Sequence, residues 1–194
     1  AYIDGTGGTG RKIILYKFLS SGALSWCTLY GGSTSANSII WQDVRDVDIA
    51  SNGDVVFVGR VNTTNFPTYN PGSGAFYKST LSIGSTSVCD GVILKFSNTG
   101  ARLWATYIGG DGTSDGTDLM GMGIDENDNV YTSGICRSTS FPTQTLAGSY
   151  NQSSMTGSVA IIINMFNSSC VRQWGTYFGT GTYMMSGGFG VNNW

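Results

Sequence analysis

The side chains in this sequence best suited to chemistry are acidic. Asp111, Asp115 and Asp118 lie in a glycine-rich stretch, and Asp125 and Asp128 crowd together with Asn127 and Asn129 shortly after it. Flexible, oxygen-rich loops suit Ca2+, which takes roughly six to eight oxygen ligands. Asp111, Asp115, Asp118, Asp125 and Asp128 are therefore the candidate metal ligands, and calcium is the only cofactor they suggest. The competing reading is that Asp, Asn and Gly are the residues tight turns require. The matching turn one repeat earlier, Ser51-Asn52-Gly53-Asp54, carries fewer acids, and no EF-hand spacing is present, which favours the turn reading. There is no histidine, which removes the commonest general base and a principal metal ligand. No Asp/Glu pair recurs in a setting suited to acid–base work, so the chain is expected not to be an enzyme.

Four cysteines, Cys27, Cys89, Cys136 and Cys170, admit alternative pairings. Cys89 and Cys136 are expected on the same side of adjacent repeats and form the candidate disulfide, whereas Cys27 stands where other repeats have Ala105 and Gly175 and reads as a small buried residue. Asn62-Thr-Thr, Asn151-Gln-Ser and Asn167-Ser-Ser satisfy the glycosylation triplet, which makes Asn62, Asn151 and Asn167 candidate acceptors. In a chain this rich in Ser, Thr and Asn such triplets also arise by chance. Trp26, Trp104 and Trp174 recur at one repeat position, followed by Tyr30, Tyr107 and Tyr177 in slightly shifted register, and repetition points to packing. Trp41 and Trp194 are not repeated and are the candidate contact surface.

The elements that must position these residues show in the repeats. Three copies of one segment run Phe18 to Trp26, Phe96 to Trp104 and Phe166 to Trp174, at offsets of 78 and 70 residues. Each follows a β-rich run and leads into Thr-Leu-Tyr-Gly31, Thr-Tyr-Ile-Gly109 or Thr-Tyr-Phe-Gly179, the pattern of two strands joined by a polar turn. A second hairpin, Asp48 to Gly59, recurs as Gly123 to Gly134 at an offset of 75, and Phe66-Pro-Thr68 recurs as Phe141-Pro-Thr143 at the same offset. One repeat is thus hairpin, FPT loop, hairpin: four antiparallel strands, the content of a propeller blade, which cannot bury both faces alone but can stack on its neighbours. A β-solenoid is the main rival, although solenoids use shorter coils.

The expected fold is all-β, with β-propeller blades of four antiparallel strands in an incomplete ring of about 2.5–3 blades. The expected division is a partial blade at residues 1–32, full blades at 33–110 and 111–180, and the start of another at 181–194, about eleven strands within a single repeat domain. Such a count falls short of a closed ring. It predicts completion by a longer chain, by other copies, or by a neighbour in a filament, with Ile161 to Met165 as an apolar edge in need of cover.

The order of motifs resembles a known family. Asp90 to Gly110 (DGVILKFSNTGARLWATYIGG), Gly123 to Gly134 (GIDENDNVYTSG) and Phe141 to Thr143 (FPT) are together similar to the SBBP, or seven-bladed β-propeller, repeat of bacterial secreted and surface proteins. The resemblance covers nearly the whole chain. It departs where Cys170 replaces the turn glycine seen as Gly22 and Gly100, and where Met185 to Trp194 follow the next hairpin only loosely. It implies secretion and surface display, and names no ligand.

Composition agrees with this and narrows the partners. Of 194 residues 11% are charged and the net charge is −2, which gives no electrostatic footprint for nucleic acid or anionic membranes. The longest apolar run, Val159 to Ile163, is too short to cross a bilayer. No basic start followed by an apolar stretch marks a signal peptide, so the secreted reading implies a leader already removed. The expected role is a non-catalytic extracellular or cell-surface structural or binding module, a segment of a surface fibre or adhesin. Its expected partners are further copies or the rest of a longer propeller, with a glycan or surface protein as ligand. The alternative is a lectin or carbohydrate-active enzyme on the same scaffold.

Overall fold

The computed structural model describes residues 11–34, 40–82, 89–111, 116–182 and 190. Within them the chain is all-β. Strands β1 (Ile13–Phe18) and β2 (Leu24–Tyr30) form a two-stranded sheet, sheet 1. Sheet 2 holds β3 (Gln42–Ile49), β4 (Val55–Val61), β5 (Asp90–Phe96) and β6 (Arg102–Ile108), and sheet 3 holds β7 (Thr117–Ile124), β8 (Val130–Cys136), β9 (Val159–Phe166) and β10 (Arg172–Gly181). Both four-stranded sheets are antiparallel meanders in sequence order, and no sheet closes on itself. The arrangement is that of an incomplete propeller. The position expected for an eleventh strand lies almost wholly outside the described residues.

Why these residues stack as sheets follows from what each strand offers to its two sides. β5 is buried along its whole length: Val92, Leu94 and Phe96 face sheet 1, while Ile93 joins the core shared with sheet 3. Alternate residues of a strand point to opposite faces, so a strand apolar at every position needs a neighbour on each side. One core gathers Ile13, Leu15, Trp26 and Tyr30 against Phe57, Val92, Leu94, Phe96 and Tyr107; the other gathers Val56, Val58, Ile93 and Trp104 against Leu119, Met122, Ile162 and Phe166. Ile161 to Met165, expected as an edge, lies in β9, which pairs with β8 on one side and β10 on the other. Its exposure is of a face, not of a backbone edge.

Three devices fix the blades. Trp26 lies over Gly100, where an added Cβ would come 3.0 Å from Trp26 Cγ, and donates from Nε1 to Asn98 O at 3.1 Å. Gly100 has φ +85°, and Cys170, at the equivalent turn, holds φ +64° without being glycine, so the substitution keeps the turn. Tyr107 and Tyr177 are buried, and each hydroxyl ties its FPT loop by accepting from Phe66 N or Phe141 N and donating to Thr63 O or Ser138 O. Finally, the first hairpin of each full blade carries a bulge, at Arg45 between Val44 and Asp46 and at Met120 between Leu119 and Gly121. Opposite the bulges stand Gly59 and Gly134, where any Cβ would collide with the carbonyls of Asp43 and Asp118.

Candidate functional site

The expected calcium ligands among the described residues are not brought together. Asp125 closes its own turn, accepting from Asn127 N, Asn129 N and Nδ2 and Tyr131 OH at 2.8–3.3 Å. Burial works against the ionised form of Asp125, but these bonds prevail and hold its carboxyl below the usual range. Asp128 accepts from Ser51 N and Oγ, both at 2.7 Å, which lowers its pKa and pins the β7–β8 turn to the turn of sheet 2. Asp118 faces Arg60 at 2.9 Å and Arg45 at 3.5 Å, and Asp111 pairs with Lys78 at 3.3 Å. Asp115 lies outside the described residues. Among the described residues no group of three or more His, Cys, Asp or Glu side chains is placed to hold a metal. The described carboxylates serve turns and basic side chains instead.

The candidate disulfide is also not formed. Cys89 and Cys136 are separate buried thiols with Thr117 bonded to both: Cys89 Sγ donates to Thr117 O at 3.7 Å, and Thr117 Oγ1 donates to Cys136 Sγ at 3.6 Å. Burial pushes the Cys89 thiol up to about 11, so it stays protonated at neutral pH. Cys27, expected to be buried, is exposed, and among the described residues no strand covers its face of sheet 1. Of the three candidate glycosylation positions, Asn62 is buried with its Oδ1 accepting from Trp41 N at 2.7 Å, which closes it to modification in the folded protein. Asn167 caps its own turn through Ser169 N and Val171 N, and Asn151 is exposed. Trp41 is partly exposed under the Arg60 guanidinium, 5.4 Å from the ring centroid, and Trp194 lies outside the described residues.

Polar residues that sequence reasoning passed over do the joining of sheets 2 and 3. Asp46 and Asp48 each bridge two strands: Oδ1 accepts from the next residue of β3, Val47 N or Ile49 N, and Oδ2 accepts from β7, Met122 N or Ile124 N, all at 2.8–2.9 Å. The carboxylates thereby satisfy edge N–H groups that would otherwise invite a foreign strand. The Arg45 bulge makes this possible by shifting the pleat, so that Asp43 at the odd spacing joins Asp46 and Asp48 in facing sheet 3. The signal available beforehand was the Asp-Val-Arg-Asp-Val-Asp run, since aspartate is depleted in strands.

A buried carboxylate closes the other end of sheet 2. Asp90 Oδ2 accepts from Ser82 N at 2.9 Å and lies 3.5 Å from Lys78 Nζ, which also donates to Gly109 O and Gly110 O at 3.1 Å. Burial outweighs the Lys78 ammonium and raises the Asp90 carboxyl to about 6, with Asp111 adding a small push in the same direction. A raised folded pKa means that Asp90 contributes most to stability below the unfolded carboxyl value and that this contribution is lost as pH rises through about 6. Asp90→Asn keeps an acceptor for Ser82 and removes the titration. The unfolding free energy of the variant relative to wild type is expected to rise by about 2 kcal/mol between pH 4 and pH 7. Urea unfolding at both pH values checks this, and a pH-independent difference would contradict it.

The remaining feature is the open side of sheet 1. Ile14, Tyr16 and Phe18 project from β1 into solvent, Tyr16 and Phe18 being 60% and 56% exposed, with Leu24 and Leu29 beside them on β2. Between β1 and the β3–β4 hairpin runs a groove of about 370 Å3, lined chiefly by Ile14, Tyr16, Phe18, Val47, Ile49 and Phe57. It occupies the side of β1 on which β5 pairs with β4 and β9 with β8. Chemically its lining offers apolar contact and a strand edge. No protein-family model matches the chain, and no curated protein matches it.

Proposed function

We propose that the protein is a non-catalytic structural or binding module displayed outside the cell, of the kind the SBBP resemblance implies, which associates with further copies through its incomplete blades. The observation carrying this reading is the open side of sheet 1, where Ile14, Tyr16, Phe18, Leu24 and Leu29 form one exposed apolar face continuous with the groove. Large contiguous apolar patches on soluble proteins mark interaction surfaces. A β-strand edge beside such a patch adds the N–H and C=O groups that template strand addition. The low charge fits a surface that meets protein or glycan rather than polyanions. Light scattering over a wide range of concentrations tests the reading. The mass is expected to climb above that of one chain as concentration rises, and a single-chain mass throughout would remove the association part of the proposal.

A further inference from the structure

Sheets 1, 2 and 3 repeat one set of side chains on each face, which allows each position to be followed through the stack. On the side facing onward along the chain, Leu15, Ile93 and Ile163 are equivalent, as are Trp26, Trp104 and Trp174, and Tyr30, Ile108 and Phe178. The first two members of every set are buried, because sheet 2 covers sheet 1 and sheet 3 covers sheet 2. In the third, Ile163 and Trp174 are half-buried and Phe178 is 49% exposed, stacked edge-on with exposed Tyr150 at 5.5 Å. On the opposite side the order reverses. Phe96 and Phe166 are buried where Phe18 is exposed, Val92 and Ile162 where Ile14 is exposed, Tyr107 and Tyr177 where Leu29 is exposed, and Ala105 and Gly175 where Cys27 is exposed.

The two uncovered faces are thus the two halves of a joint that the molecule already builds twice. The tryptophan shows it most directly. Trp26 packs over the left-handed turn glycine Gly100 of the next sheet, whereas Gly22, at the same turn of sheet 1 with φ +81°, has no atom within 4 Å of where a Cβ would stand. Among the described residues, no ring lies over Gly22 of sheet 1 and no sheet covers Trp174 of sheet 3. The lysines that bridge the internal joints, Lys17 to Gly53 O and Lys95 to Ser168 O at 3.2 Å each, are replaced in sheet 3 by Met165. The sheet 3 half is therefore more apolar than its internal counterparts.

We infer that a second copy of this chain docks head to tail, seating its sheet 3 face, with Trp174 and Phe178, on the sheet 1 face formed by Gly22, Ile14, Tyr16, Phe18, Cys27 and Leu29. This rests on the self-association proposed above and specifies its surfaces. The two patches differ, so the contact is heterologous: it repeats from copy to copy and produces a closed ring or an open filament. It predicts that each copy retains one free face of each kind until the assembly closes.

Two charge-introducing substitutions on exposed side chains, Tyr16→Glu on the sheet 1 face and Phe178→Glu on the sheet 3 face, separate the outcomes. Their folding is checked by circular dichroism, and alkylation of the exposed Cys27 thiol gives a second readout on unsubstituted protein. Expected are association of the wild type with slowed alkylation of Cys27, loss of association in each variant alone, and complexes of one copy of each, no larger, when the two variants are mixed. The mixture pairs because each variant keeps the face the other lacks. If the wild type associates but Phe178→Glu associates equally well, or if the mixed variants fail to pair, the head-to-tail assignment is overturned while self-association stands. If the wild type remains a single chain with Cys27 freely alkylated at every concentration, self-association itself is refuted and the assignment falls with it.

Discussion

Replacing Trp104 by alanine is expected to destabilise the fold by about 3–5 kcal/mol, the largest loss for any single truncation in the protein. Trp104 is fully buried between sheets 2 and 3, its ring edge-to-face with Phe166 at 5.3 Å, and its Nε1 donates to Phe76 O at 2.8 Å. Truncation opens a cavity in the joint and leaves the Phe76 carbonyl without that donor, so the lost contacts and the lost bond act together. The three equivalent tryptophans make the test internal. Trp26→Ala removes a ring buried in the smaller joint, and Trp174→Ala removes one with no sheet over it. Urea unfolding at low protein concentration is expected to rank the costs Trp104, then Trp26, then Trp174. An equal cost at Trp104 and Trp174 would mean that the tryptophan stabilises its own blade and not the joint between blades.

Much of this fold was legible before the structure, because its information is repeated. A hairpin at Phe18 to Trp26 is a weak signal; the same hairpin at Phe96 and Phe166, each bounded by turn residues and a Thr-Tyr run, is a strong one. The tryptophans read as packing for the same reason, and Trp26 and Trp104 are buried between sheets. Failures came where the chain breaks its own period. Tyr30 stands one residue out of step with Tyr107 and Tyr177, and in a strand one residue is a change of face, so its hydroxyl crosses to Pro67 O and Arg102 in the next sheet instead of tying a loop of its own. The bulge at Arg45 hid the shared face of Asp43, Asp46 and Asp48 from any alternation argument. Asn62 satisfies a triplet that says nothing of burial, and the side of the sheet that Cys89 and Cys136 share does not reveal that Thr117 bonds to both. The strand count implies a need for partners but does not single out the residues of the open face of sheet 1, since exposure belongs to the stack and not to the strand.

Substituting Asp46 and Asp48 together by asparagine is expected to cost about 3 kcal/mol and to weaken the joint of sheets 2 and 3 without altering a single apolar contact. Each carboxylate accepts two backbone N–H groups with its two oxygens, one in β3 and one in β7. An asparagine of the same shape has one oxygen and one NH2, so whichever way the amide turns, one N–H of each pair faces another donor. Two of the four bonds are lost, and bonds to charged acceptors contribute about 1.5–3 kcal/mol each, at the lower end where the group is half exposed as here. Where the amide oxygen stays on β3, the edge of β7 presents unpaired N–H groups at Met122 and Ile124; where it stays on β7, Val47 N and Ile49 N are left unpaired. Asp111→Asn, at an exposed carboxylate, serves as the control and is expected to change stability by less than about 0.5 kcal/mol. If urea unfolding shows the double variant no less stable than that control, the carboxylates decorate the joint and apolar stacking alone holds the blades together.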